Sequence, residues 1–156
     1  MSVEKAVSGK KLYSDIVKKS NRWHYYYAQD DNTLFGLFGT FRNKTGEPID
    51  IRNIYCLVVF DDTYSYRGDV DAIMKDGSDF FHDVSPMNDV KYYAYAEVPD
   101  NILKNFTKCV VRLGFTETFE IKFTSHGGLP DLSKCDVVYE IPVTKREIEA
   151  MKQKKK

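Results

Sequence analysis

Residues 34–42 read Leu-Phe-Gly-Leu-Phe-Gly-Thr-Phe-Arg, and both alternate sets of this run are apolar. Phe35, Leu37, Gly39 and Phe41 fall on one side; Leu34, Gly36, Phe38 and Thr40 fall on the other. Successive side chains of a strand point to opposite faces, so a strand apolar on both must be covered on both. The run therefore belongs in the middle of a sheet. Its two glycines predict a bulge or a close backbone approach.

The rest of the chain supplies material for such a sheet. Trp23–Tyr27, Ile49–Asp61, Tyr64–Met74, Val90–Val98, Val110–Phe115, Phe119–Phe123 and Val137–Val143 are short runs rich in aromatic and β-branched residues. Turn-forming clusters separate them, at Asp30-Asp31-Asn32, Asn43–Pro48, Lys75–Asp79, Ser85–Asp89 and Ser125–Pro130. Val110–Phe115 and Phe119–Phe123 flank Thr116-Glu117-Thr118 in the layout of a tight hairpin. Helical signals are few. Leu12/Ile16 and Tyr13/Val17 repeat at i, i+4 over residues 10–20, and one turn is expected at Ile102-Leu103. Thr144 and Glu147 form a T-x-x-E capping box that predicts a helix through about Met151. The expected fold is an all-β sandwich of about seven strands with a short helix at each end. Three segments follow: a basic stretch over 1–22 with its helix, a sandwich over 23–143, and a basic helix and tail over 144–156.

Lys+Arg and Asp+Glu are 23 each, so the formal net charge is zero, which argues against a globally basic nucleic-acid binder. Each end carries six Lys/Arg against two acids, giving +4, and residues 23–143 carry −8. Eight Asp crowd residues 61–89 against Arg67 and Lys75. One reading is a solvated acidic face; the sharper one is a surface for a basic partner, with Asp61, Asp62, Asp69 and Asp71 as its contact residues. No apolar run approaches the ~20 residues of a membrane helix. The first ten residues lack the apolar stretch of a secretory signal. Two compartments stay open: cytoplasmic if Met1 is the native start, or cell envelope and extracellular if a leader was removed and this polar stretch is a tether.

Few residues offer chemistry. Ser125-His126-Gly127-Gly128 has the letters of an oxyanion loop, but no G-x-S-x-G nucleophile elbow accompanies it, so it reads as a glycine-rich loop. The three cysteines Cys56, Cys109 and Cys135 form no CxxC or Cys/His cluster. Cys56 sits in an apolar run and reads as a small buried hydrophobe, while Cys109 and Cys135 would pair only if their strands are adjacent. Asp76 and Asp79 are the first choice for Ca²⁺ ligands, although their loop lacks the closing Glu of a twelve-residue calcium loop. Tyr93 and Tyr95 alternate onto one strand face with Lys91 and Glu97; one reading is packing over the sandwich flank or under a terminal helix, the sharper one a ring platform for a ligand or glycan. No catalytic residues and no cofactor are expected.

Several segments together resemble a known family. Gly39–Ile51, Phe60-Asp61-Asp62-Thr63-Tyr64, Ser85-Pro86, Tyr92–Pro99 and Leu113-Gly114-Phe115 look like the immunoglobulin-like, telokin-like domain of uncharacterised lipoproteins and secreted proteins of Gram-positive bacteria. The likeness spans Leu34 to Phe123. It implies a non-enzymatic binding or structural module of the cell envelope, with a protein or glycan partner. The alternative is a cytoplasmic adaptor or inhibitor that uses the acidic 61–89 face.

Overall fold

A computed structural model of the chain describes residues 1–11, 27–73, 80–116 and 128–150. In chain order its strands are β1 (Ser2–Gly9), β2 (Asn32–Arg42), β3 (Ile49–Asp50), β4 (Tyr55–Phe60), β5 (Tyr64–Ile73), β6 (Phe80–Phe81), β7 (Asp83–Val84) and β8 (Asp89–Pro99). Helix α1 (Asp100–Asn105) follows, then β9 (Cys109–Phe115), β10 (Val137–Val143) and β11 (Ile148–Ala150). The main sheet runs β10-β9-β4-β5-β8-β2-β1-β11, with β6 beside β5, and β3 pairs with β7 apart from it. Along that order every pairing is antiparallel except β1 with β11.

The chain's own connectivity curls this sheet. Strands β10 and β11 stand at opposite ends of the order, yet only Thr144–Glu147 separate them. Eight strands laid flat would place the two ends roughly 34 Å apart. The link from Val143 to Ile148 reaches at most roughly 18 Å. The sheet must bend until its ends approach each other, and its concave side becomes the core. Phe35 of β2 meets Phe60 of β4 at 5.7 Å between ring centroids although two strands lie between them, and Phe60 meets Phe106 at 5.1 Å. Leu37, Val58, Tyr92, Ala94, Val98, Val111 and Leu113 share this interior.

The convex side of the same strands carries a second apolar cluster of Val7, Leu34, Phe38, Ile73, Tyr93 and Tyr95. Strand β2 is thus covered on both faces and lies between β1 and β8, as its two apolar sets require. The glycine reading holds as well. A Cβ on Gly39 would sit 2.6 Å from Cε1 of Tyr92 and against the Ser2 carbonyl, and β1 shifts register between Val3 and Lys5 opposite this point.

The sheet contains two pieces that the sequence placed outside the sandwich. Ser2–Gly9 is not a loose basic terminus but a strand between β2 and β11. Its only deeply buried side chains are Ala6 and Val7, too few to mark a strand by hydrophobicity. At the other end the capping box forms: Glu147 Oε2 accepts from Thr144 N at 2.7 Å and from Thr144 Oγ1 at 2.8 Å. It closes one 3₁₀ turn rather than a helix, and Ile148–Ala150 continue as β11 because β1 offers them a free edge. The strand expected over Ile49–Asp61 is interrupted by a 3₁₀ turn at Ile51–Asn53, where Asp50 accepts from Arg52 N at 3.0 Å. Both edges of β9 are taken, by β4 and β10. The hairpin arm expected over Phe119–Phe123, most of the helix over 10–20 and the run Trp23–Tyr26 lie outside the described residues.

Candidate functional site

The register across β2, β8 and β5 sets Phe38, Tyr93 and Asp71 side by side in one row on the convex face. Tyr95, two residues along β8, stacks on Tyr93 at 5.1 Å and 20°, and Phe38 lies 4.4 Å from the Tyr93 ring. The shared face expected for the two tyrosines therefore exists. Their rings are not open, however: Tyr93 is 0% exposed and Tyr95 is 6%. In this conformation they act as packing against Leu34, Val7 and Ile73.

A polar group is sealed into this apolar layer. Asp71 is 5% exposed, and its Oδ2 accepts from Tyr95 Oη at 3.1 Å. His82 Nδ1 stands 3.6 Å from Asp71 Oδ1, beyond hydrogen-bond length. The Tyr93 hydroxyl is buried with no hydrogen-bond partner among the described residues, and burial pushes its pKa well above the ordinary range. Such a phenol stays protonated at neutral pH, and its burial keeps it from solvent. The Asp71–Tyr95 bond fixes the rings and satisfies a buried carboxylate, which would otherwise be costly.

The four acidic candidates do not form one face. Asp61 and Asp62 make the β4–β5 turn, both at positive φ, 51° and 56°. Asp61 Oδ1 accepts from Thr107 N at 2.9 Å, Thr107 Oγ1 at 2.8 Å and Lys108 N at 2.9 Å. These bonds hold its carboxyl below the ordinary carboxylate range. Asp62 is paired with Lys108 Nζ at 2.8 Å. Asp69 and Asp71 lie farther along β5, and Tyr64 and Asp69 alone are roughly 17 Å apart along the strand. Asp69 is exposed and Asp71 is buried. Asp76 and Asp79 lie outside the described residues. Among the described residues no group of three or more His, Cys, Asp or Glu side chains is arranged to hold a metal ion.

All three cysteines are free thiols. Cys56 and Cys109 are in the interior, where desolvation pushes each thiol up to about 12. A thiol of that kind is a small hydrophobe rather than a nucleophile. Cys135 is half-buried, beside Gly114 of β9, at the opposite end of that strand from Cys109. Its pKa is also raised, by desolvation first and then by Asp136 and Asp131.

Two features went unread in the sequence: the depth at which Asn43 anchors its expected turn, and an open strand edge. Asn43 is fully buried and donates through Nδ2 to the Glu47 carbonyl at 2.7 Å and the Val84 carbonyl at 2.9 Å. Its Oδ1 accepts from Thr45 N at 2.9 Å, so it ties the turn after β2 to β7. The spacing Asn43-x-Thr45 is the signal of such an Asx turn. The second is an open apolar stretch, Val137, Val138 and Tyr139, on edge strand β10.

Fold and site together define a β-sandwich protein in which the rings of Phe38, Tyr93 and Tyr95 serve as packing. No protein-family model matches the chain, and no curated protein matches its sequence. Among solved structures it is similar to an uncharacterised β-sandwich protein from Clostridium difficile 630, with a TM-score of 0.62 and 9% identity over 73% of this chain and 77% of that one. It also matches a conserved hypothetical protein from Bacillus anthracis, with a TM-score of 0.46 and 13% identity over 72% and 79% of the two chains. The first likeness is one of fold.

Proposed function

We propose that the chain is a non-catalytic binding or structural module of a bacterial cell envelope, a telokin-like member of the β-sandwich proteins, that engages a protein or glycan by surface contact. One observation carries this reading. Among the described residues, the Cys56 and Cys109 thiols are sealed in the interior and the Tyr93 phenol in the convex layer. What the surface offers instead is shape and apolar area. The scatter of the acidic residues favours this module over an adaptor that reads a basic partner. Asp61 and Asp62 are committed to Thr107 and Lys108, and Asp71 is buried.

Fractionation of the native host, followed by intact mass of the recovered protein, tests the placement. The expected result is a surface-attached or secreted form with a processed N-terminus. A soluble cytoplasmic form that begins at Met1 or Ser2 would overturn it.

A further inference from the structure

Among the described strands, β11 has one neighbour, β1, and the two run parallel. Their register sets Ala6 beside Ile148, Val7 beside Glu149 and Ser8 beside Ala150. Parallel ladders are slightly weaker per residue than antiparallel ones. Strand β11 begins at Ile148, so its pairing starts only at Ala6, well along β1. On its other side β1 pairs antiparallel with β2 over its whole length, from Ser2 opposite Thr40 to Gly9 opposite Leu34. Strand β1 therefore keeps its place in the sheet without β11.

The turn that leads into β11 is anchored firmly on the side of β10. Val143 is buried in the interior. Lys145 Nζ donates to the Lys104 carbonyl at 2.8 Å and lies 5.1 Å over the Phe106 ring, which ties the turn to α1 and the residue after it. Beyond that tie the turn is closed by the Thr144–Glu147 capping box, and both of these residues are exposed. Ile148, half-buried, then rests against the interior. The curl of the sheet has its own support in the contacts of Phe35 with Phe60 and of Phe60 with Phe106, which do not involve β11.

We propose that Ile148–Ala150 is a latch on the edge of β1: it swings away as a unit about the Thr144–Glu147 turn while the rest of the sheet stays folded, and the capping box sets how tightly it closes. The fixed and moving parts divide at this turn. Val143 and Lys145 hold the near side, and the far side is held by Ile148 and the backbone pairing with Ala6–Ser8. Release frees the backbone groups of Ala6–Ser8 that face β11, a strand edge hidden in the closed protein. Covering an edge is one way a sheet is kept from adding a foreign strand, and here the cover hangs on an exposed cap. The latch does not depend on the envelope placement.

Residue-resolved amide hydrogen exchange of the full chain at neutral pH, in low concentrations of urea, reads the latch directly. Local opening exposes little surface and responds weakly to urea, whereas global unfolding responds steeply. The amides of Ala6–Ser8 and Ile148–Ala150 that bridge β1 and β11 are expected to exchange faster than those of β2 and β8, with little dependence on urea. Glu147→Ala raises their opening about fivefold, as the loss of a cap does. Glu147→Gln, which can rebuild the box, stays near the rate of the unaltered chain. Bridging amides that open only with the steep urea dependence of β2 and β8 overturn the proposal. So does a Glu147→Ala variant whose rates are unchanged, or a Glu147→Gln variant that opens as fast as Glu147→Ala.

Discussion

At Gly39 the backbone of β2 passes so close to Ser2 and to the Tyr92 ring that no side chain fits. Gly39→Ala should cost about 1–3 kcal/mol of stability, as overpacking does, read from the urea midpoint. An unchanged midpoint would show that β1 does not lie against β2 here. Asp61 works through charge. Its folded pKa is lowered, chiefly by the Thr107 and Lys108 backbone N–H groups, from an ordinary value of 3.8. The stability it contributes is therefore present above that value and is lost as pH falls through the lowered one. Asp61→Asn should flatten the dependence of the melting temperature on pH over that acidic window and leave its slope near neutrality unchanged. The thiols act at the other extreme. Cys56 and Cys109 are raised to about 12, so their contribution is present below the ordinary 9.0 and fades as pH climbs toward 12. In the native protein at about pH 8, Cys135 should react with a disulfide reagent faster than either, because access governs the rate. Equal rates at all three would contradict the buried placement.

At the scale of elements, what was legible followed from alternation. The runs behind β2, β5, β8 and β10 lie within two residues of their expected bounds, since each repeats apolar residues with the pleat. The double cover of β2 was readable from its two apolar sets, and the turn at Asn43 from its polar residues. Strand β1 was not legible, because it is held by backbone pairing to β2 and β11 and contributes only Ala6 and Val7 to burial. The capping box was read correctly but not its length: one 3₁₀ turn suffices where the chain is needed as a strand. Val7→Ala tests the role of β1. It removes two buried carbons from the convex cluster and should cost about 1–2 kcal/mol by chemical denaturation. A cost near zero would mean that β1 is peripheral.

For the whole molecule, the sequence located Tyr93 and Tyr95 on one face but not their depth. A sheet whose convex side is also covered turns a would-be platform into a second core layer, and alternation alone cannot distinguish the two. The acidic residues were close in sequence yet are dispersed, because Asp61 and Asp62 form the β4–β5 turn while Asp69 and Asp71 lie farther along β5, one exposed and one buried. The open stretch on β10 was hidden for the converse reason, since an edge strand and a buried one share the same apolar letters. One sheet thus buries both faces at its centre, in β2 and β8. Residue-resolved amide hydrogen exchange tests this most directly, because exchange reports local opening strand by strand. Amides of β2 and β8 are expected to exchange slowly, only through global unfolding. Exchange in β2 or β8 as fast as in the exposed turns would contradict a centre covered on both faces.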